Sequence, residues 1–225
     1  MQEDGTIAEL ILVDGMPAAR ILCAPRQVPV PGKYLLALAD ESDSPLASSI
    51  FAASSLADGF LVAPPIPKTW TPGTHLHLRG PLGHGFELPE KVRRIGLIAF
   101  DDSPRRLLPL LDLASKQDAS ITLVCAEPPE DLPLQVEVQP LRALNEVSAW
   151  ADYLAIDAAR ESLPELKSKL GLNNLANIRY EAQVLVRVPM PCGGLAECGV
   201  CAVAASKGRR LACEDGPVFD LKELI

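Results

Sequence analysis

Short apolar runs divided by turn residues fill the first part of the chain. Residues 6–13 (TIAELILV), 19–24 (ARILCA) and 34–39 (YLLALA) are separated by Asp14-Gly15 and by Pro31-Gly32. Runs of this length bounded by Gly and Pro predict strands joined by tight turns. Further strands are expected at 50–53, 60–63 and 74–79, and no helical periodicity appears among them. Residues 1–91 therefore read as an antiparallel β unit, a small barrel. From Ile95 the pattern changes. Continuous apolar runs at 95–100 (IGLIAF), 120–126 (SITLVCA), 134–138 and 153–157 (YLAID) alternate with helix-like segments. Ser103-Pro104 predicts a helix N-terminus, and Pro109 is expected to bend or shorten that helix. A second helix is expected over ESLPELKSKL, stopped by Gly171. Strands buried on both faces and linked by helices imply parallel pairing. Residues 92–181 are thus a small α/β unit. The strand AQVLVRV (182–188) leads into a C-terminal segment, 182–225.

Composition narrows the function classes. The 225 residues carry a formal net charge of −8, with 48% hydrophobic and 4% aromatic residues. Nucleic-acid binding needs clustered Lys and Arg, which this balance lacks. No run approaches the roughly 20 apolar residues of a membrane span, and the acidic start Met1-Gln2-Glu3-Asp4 does not resemble a signal peptide. A cytoplasmic location is expected, where cysteines stay as thiols or metal ligands.

Four of the six cysteines lie close together near the C-terminus: Cys192, Cys198, Cys201 and Cys213, spaced C-x5-C-x2-C-x11-C. Three thiols from one loop and a fourth after a short excursion suit a [2Fe–2S] cluster. Gly193, Gly194 and Gly199 allow the loop to wrap closely and bring backbone amides toward sulfur. Lys207-Gly208 is the expected turn of the excursion. A structural zinc site is the alternative metal reading, although such sites usually draw on two C-x2-C knuckles and only one is present here. Cys23 and Cys125 sit in apolar strand-like runs and read as core residues. His75 and His77 share one strand face without a third ligand in view, and they read as solvent-facing. The acidic stretch 127–133 reads as a solvated loop.

Residues Met190-Pro191-Cys192-Gly193 through Cys201, with the ending Cys213-Glu214-Asp215-Gly216-Pro217-Val218-Phe219, resemble the electron-transfer subunit of NAD-linked dihydroorotate dehydrogenases. Gly80-Pro81-Leu82-Gly83-His84-Gly85-Phe86 resembles that family's loop between its two larger domains. The resemblance implies a ferredoxin-reductase-like fold: an N-terminal antiparallel β-barrel like an FAD domain, a parallel α/β unit like an NAD domain, and a C-terminal [2Fe–2S]-binding appendage. It implies FAD on the barrel, electron relay between NAD and a partner, and the cluster as the bridge between flavins. One departure is small: the first cysteine spacing is x5 where the family has x4.

Two departures are larger. The family's flavin motif has an Arg that pairs with the pyrophosphate and a Ser near the flavin ring. Ser48 and Phe51 occupy those positions, and prolines fill 64–67 where amide donors are expected. Where the family has a glycine-rich dinucleotide turn, this chain has Asp101-Asp102-Ser103-Pro104-Arg105-Arg106, and carboxylates there repel a diphosphate. NAD is therefore not expected, and FAD stays open. The chain reads as an iron–sulfur electron-transfer component passing single electrons to or from a partner flavoprotein subunit in a hetero-oligomer. A flavin-containing reductase, or a redox-sensing or structural subunit, is the alternative.

Overall fold

The computed structural model describes residues 2–40, 46–171 and 180–224. The first seven strands are β1 (Gln2–Val13), β2 (Met16–Leu22), β3 (Tyr34–Ala39), β4 (Ser48–Ile50), β5 (Ala52–Leu56), β6 (Gly59–Val62) and β7 (His75–Leu82). They form one antiparallel sheet in the order β4-β3-β7-β1-β2-β6-β5. The β1–β2 turn places Asp14 and Gly15 at φ 49° and 73°, the left-handed geometry that makes Asp-Gly a hairpin turn. Ile7, Ile21, Leu35, Phe60, Val62 and Leu78 point inward and share one core. The sheet ends, β4 and β5, are consecutive in sequence, so the sheet curls toward a barrel. Among the described residues no ladder joins those two strands.

The second sheet contains β8 (Arg94–Ala99), β9 (Ser120–Val124), β10 (Val136–Gln139), β11 (Tyr153–Ala159) and β12 (Glu181–Arg187), all parallel. The 3₁₀ turn at Pro104–Arg106 is capped by the Ser103 side chain, which accepts from the Arg105 amide. The α-helix itself starts only after Pro109, as α1 (Leu110–Ser115). A second helix, α2 (Leu144–Trp150), precedes β11, and α3 (Leu163–Lys169) follows it. Sequence periodicity does not predict α2. At seven residues it buries only Leu144, Val147 and Ser148, too short a stripe to stand out. No helix among the described residues is long and apolar enough to cross a membrane.

The C-terminal segment forms a hairpin, β13 (Ala202–Ala205) and β14 (Gly208–Leu211), turning at Ser206-Lys207, one residue before the expected Lys207-Gly208, with Gly208 opening β14 at φ 93°. A final strand, β15 (Val218–Asp220), adds antiparallel to β12 at the sheet edge. One apolar cluster then joins all three regions: Tyr34 and Leu36 of the first sheet, Leu154 and Val184 of the second, and Cys201, Val203, Cys213 and Phe219 of the tail. Each large side chain buried in this way contributes about 1.5–3 kcal/mol. The cysteine loop is thus seated on the junction of both sheets.

Candidate functional site

β12 delivers the chain through Val188-Pro189-Met190 into the cysteine loop. Gly193, Gly194 and Gly199 adopt φ of 65°, 73° and 68°, left-handed backbone that favours glycine at each position. At Gly194 it is also steric, since a Cβ there would lie 3.1 Å from the Tyr34 hydroxyl. Ala196, at φ 59°, takes the same left-handed conformation without being glycine, a feature no sequence signal announces.

The loop brings the four thiols together as two pairs. Cys201 Sγ lies 3.3 Å from Cys213 Sγ, and both residues are buried. The Cys198 side chain lies close enough to the Cys192 sulfur to lower its pKa. Cys192 is half-buried and Cys198 exposed. Among the described residues, no group of three or more His, Cys, Asp or Glu side chains gathers around one point as a single-ion site requires. The pairs also differ in acidity. Desolvation pushes the Cys192 thiol up, but amide donors from Leu195, Cys198 and Glu197, with the Cys198 thiol, bring it down to about 6. Desolvation and the neighbouring Cys201 thiol push Cys213 up to about 11, against one amide donor from Ala196. Two neighbouring thiol pairs with amides aimed at sulfur suit the donor set an iron–sulfur cluster uses.

Residues from both sheets clasp the loop from outside. Arg79 Nη1 donates to the Gly193 carbonyl at 2.6 Å, and Arg160 Nη1 donates to Val200 and Ala202 carbonyls at 2.7 and 3.2 Å. The Tyr34 hydroxyl donates to the Cys213 carbonyl at 3.4 Å. His84 donates through its backbone N–H to Gly216 and through Nδ1 to Asp215, at 2.6 and 2.9 Å. The loop beginning at Gly80 therefore packs on the cluster tail. Sequence reasoning missed Tyr34, Arg79 and Arg160, because their partners lie 40 to 179 positions away.

The crevice at the carboxyl ends of β8 and β11, where open α/β sheets bind ligands, is lined by the chain's own charges, and a cavity of about 250 Å³ opens there between Asp14, Asp101, Asp102 and Glu127. Asp101 accepts from the Ala159 amide at 2.9 Å and pairs with Arg187. Arg106 pairs with Asp102 and Asp157 at 3.1 and 3.2 Å and reaches the Pro64 carbonyl at 2.8 Å. Arg187 Nε holds Asp157 at 2.6 Å. The cations that a pyrophosphate would need are thus engaged by carboxylates, in keeping with Asp101-Asp102 at this turn. Arg105 turns elsewhere, to Asp14 and Asp131. Asp131, in the acidic stretch expected to be merely solvated, is therefore an ion-pair partner, and Arg105 lowers its pKa. Beside this network lies a cavity of about 330 Å³ lined by Ser49, Phe51, Arg106, Arg187 and Met190.

Other chemistry-bearing residues sit apart. His75 is exposed, while the partly exposed His77 contacts Asp4 and Asp40 at 3.1 and 2.7 Å. Cys125 is buried as expected. Cys23 is only half-buried, its thiol pushed up to about 11 mainly by desolvation.

Residues 190–225 match the family model for the iron–sulfur cluster binding domain of dihydroorotate dehydrogenase B. The whole chain shares its fold with an NADH-dependent reduced ferredoxin–NADP oxidoreductase linked to flavin-based electron bifurcation. That match has a TM-score of 0.76 at 16% identity, covering 98% of this chain and 89% of that one. Phthalate dioxygenase reductase, a modular structure for electron transfer from pyridine nucleotides to [2Fe–2S], matches at TM-score 0.53 and 11% identity, covering 99% and 96%. Ferredoxin–NADP⁺ reductase from Plasmodium falciparum matches at 0.55 and 13%, covering 84% and 96%.

Proposed function

We propose that this chain, an iron–sulfur domain of the dihydroorotate dehydrogenase B type on a ferredoxin-reductase-like scaffold, is an electron-transfer subunit. Cys192, Cys198, Cys201 and Cys213 would hold a [2Fe–2S] cluster, with Gly193, Gly194 and Gly199 shaping the loop. The two thiol pairs carry this reading, since a two-iron cluster takes two thiolates on each iron. When bound, the cluster supplies a one-electron carrier. The protein's part is to present thiols and amides, to bury Cys201 and Cys213 away from water, and to leave Cys198 at the surface. A partner flavoenzyme resembling the catalytic dihydroorotate dehydrogenase subunit is the proposed electron partner. Anaerobically purified protein should show the visible absorbance and, once reduced, the EPR signal of a [2Fe–2S] centre. Cys192→Ser should abolish both, and a variant that keeps full absorbance and signal refutes the ligand set.

One observation favours a second reading, a flavin-bearing reductase. The cavity beside Ser49 and Phe51 is within the size range of small-molecule sites, about 300–1,000 Å³, and Met190 connects its wall to the cysteine loop. Acid extraction decides it: stoichiometric released flavin establishes the second reading, and none leaves the cluster as the only carrier.

A further inference from the structure

Two arginines grip the cysteine loop, and their electrostatic situations differ. Arg160 holds the carbonyls of Val200 and Ala202, which flank Cys201, but its guanidinium also pairs with Glu161 at 3.0 Å. Arg79, on β7, holds the carbonyl of Gly193, next to Cys192, at 2.6 Å. Among the described residues no carboxylate pairs with Arg79. Its charge sits within the same neighbourhood as the thiols: the fully buried Tyr34 phenol feels Arg79 together with Cys213, Cys201 and Cys192.

We infer that Arg79 sets the reduction potential of the cluster, as a positioning residue that holds the ligand loop and supplies positive charge that no carboxylate among the described residues pairs. The inference rests on the four-thiolate reading above. Reduction adds one electron to a group that is already anionic; no bond forms or breaks and no proton is required. A nearby cation in a partly buried setting stabilises the extra negative charge, since screening there is weaker than in water. Replacing Arg160 and Glu161 together removes a similar grip on the loop while leaving the net charge unchanged, because a cation and its paired carboxylate go at once. That double change serves as an internal control that separates the electrostatic role from the structural one.

The test uses the full chain carrying its cluster, in the parent, in Arg79→Gln and Arg79→Lys, and in the double variant Arg160→Gln/Glu161→Gln. Each is titrated with dithionite under anaerobic conditions and followed by EPR. Arg79→Gln should lower the equilibrium constant for reduction about tenfold, a shift of about 59 mV for a one-electron couple. Arg79→Lys should restore most of that loss, and the Arg160→Gln/Glu161→Gln double variant should shift it less than Arg79→Gln does. The inference is overturned if Arg79→Gln stays within twofold of the parent, or if the charge-neutral double variant shifts it as much. It is also overturned if neither Arg79 variant holds a cluster, because the residue would then be scaffolding only. A parent that shows no cluster signal overturns the four-thiolate reading, a result distinct from a parent with a cluster that Arg79 does not affect.

Discussion

Asp157 shows how a single side chain can be visible in the sequence while its role is not. It ends the apolar run YLAID and lies wholly buried on β11. Burial raises its carboxyl from 3.8 to about 6, against the pull of Arg106. Below about pH 3.8 the folded and unfolded chains both hold this proton. Between there and pH 6 only the folded chain does, so stability from this group is full in acid and is lost as pH rises through 6. The raised value corresponds to roughly 3 kcal/mol. In urea denaturation across pH 4 to 7, Asp157→Asn should therefore gain on the parent by roughly that amount as pH rises. Parallel curves would mean that the carboxyl titrates alike in both states. The thiols are the opposite case. Their spacing alone identified a metal-binding loop, because ligands that share one loop must also be close in sequence.

At the scale of elements, turn chemistry was legible and short helices were not. Asp14-Gly15, Ser103-Pro104, Pro109 and Gly171 each act where their local geometry demands, since a turn or cap depends on neighbours a few residues away. Helix α2 escaped because tertiary packing, more than its own pattern, holds seven residues in a helix. The loop at the end of β7 illustrates docking between elements. Gly83 has φ 74°, and a Cβ there would lie 2.5 Å from the Gly216 carbonyl oxygen and 2.6 Å from Pro217. Left-handed backbone costs a residue with a Cβ about 1–2 kcal/mol, and the contact with fixed backbone adds to it. Gly83→Ala should thus loosen the loop from the cluster tail and shorten the cluster's lifetime without removing a thiol. Iron content and the decay of visible absorbance in air measure this.

At the scale of the whole molecule, Arg105 ties the two sheets together. Its guanidinium takes Asp14, in the β1–β2 turn, at 2.6 and 2.7 Å, and Asp131, beyond β9, at 2.9 Å. It is largely buried, with 9% side-chain exposure, and losing its charged hydrogen bonds to carboxylates that reach solvent costs about 1.5–3 kcal/mol. Arg105→Met should lower the denaturation midpoint by a corresponding amount. It should also uncouple the sheets, seen as a calorimetric enthalpy that exceeds the van't Hoff value. An unchanged midpoint would show the shared apolar core to be sufficient by itself. The hydrophobic pattern alone determined a β unit followed by a parallel α/β unit, and the cysteine spacing alone pointed to a metal-binding tail. Both are local statements, set by periodicity and by ligands within one short segment. Only the tertiary structure decided that the thiols meet as two pairs and that Asp101 sits in the crevice at the carboxyl ends of β8 and β11, bound to Ala159 and Arg187. It likewise decided that Tyr34, Arg79 and Arg160 reach the loop from other strands. Those contacts join residues that sequence order keeps far apart, and packing alone brings them within a hydrogen bond of each other.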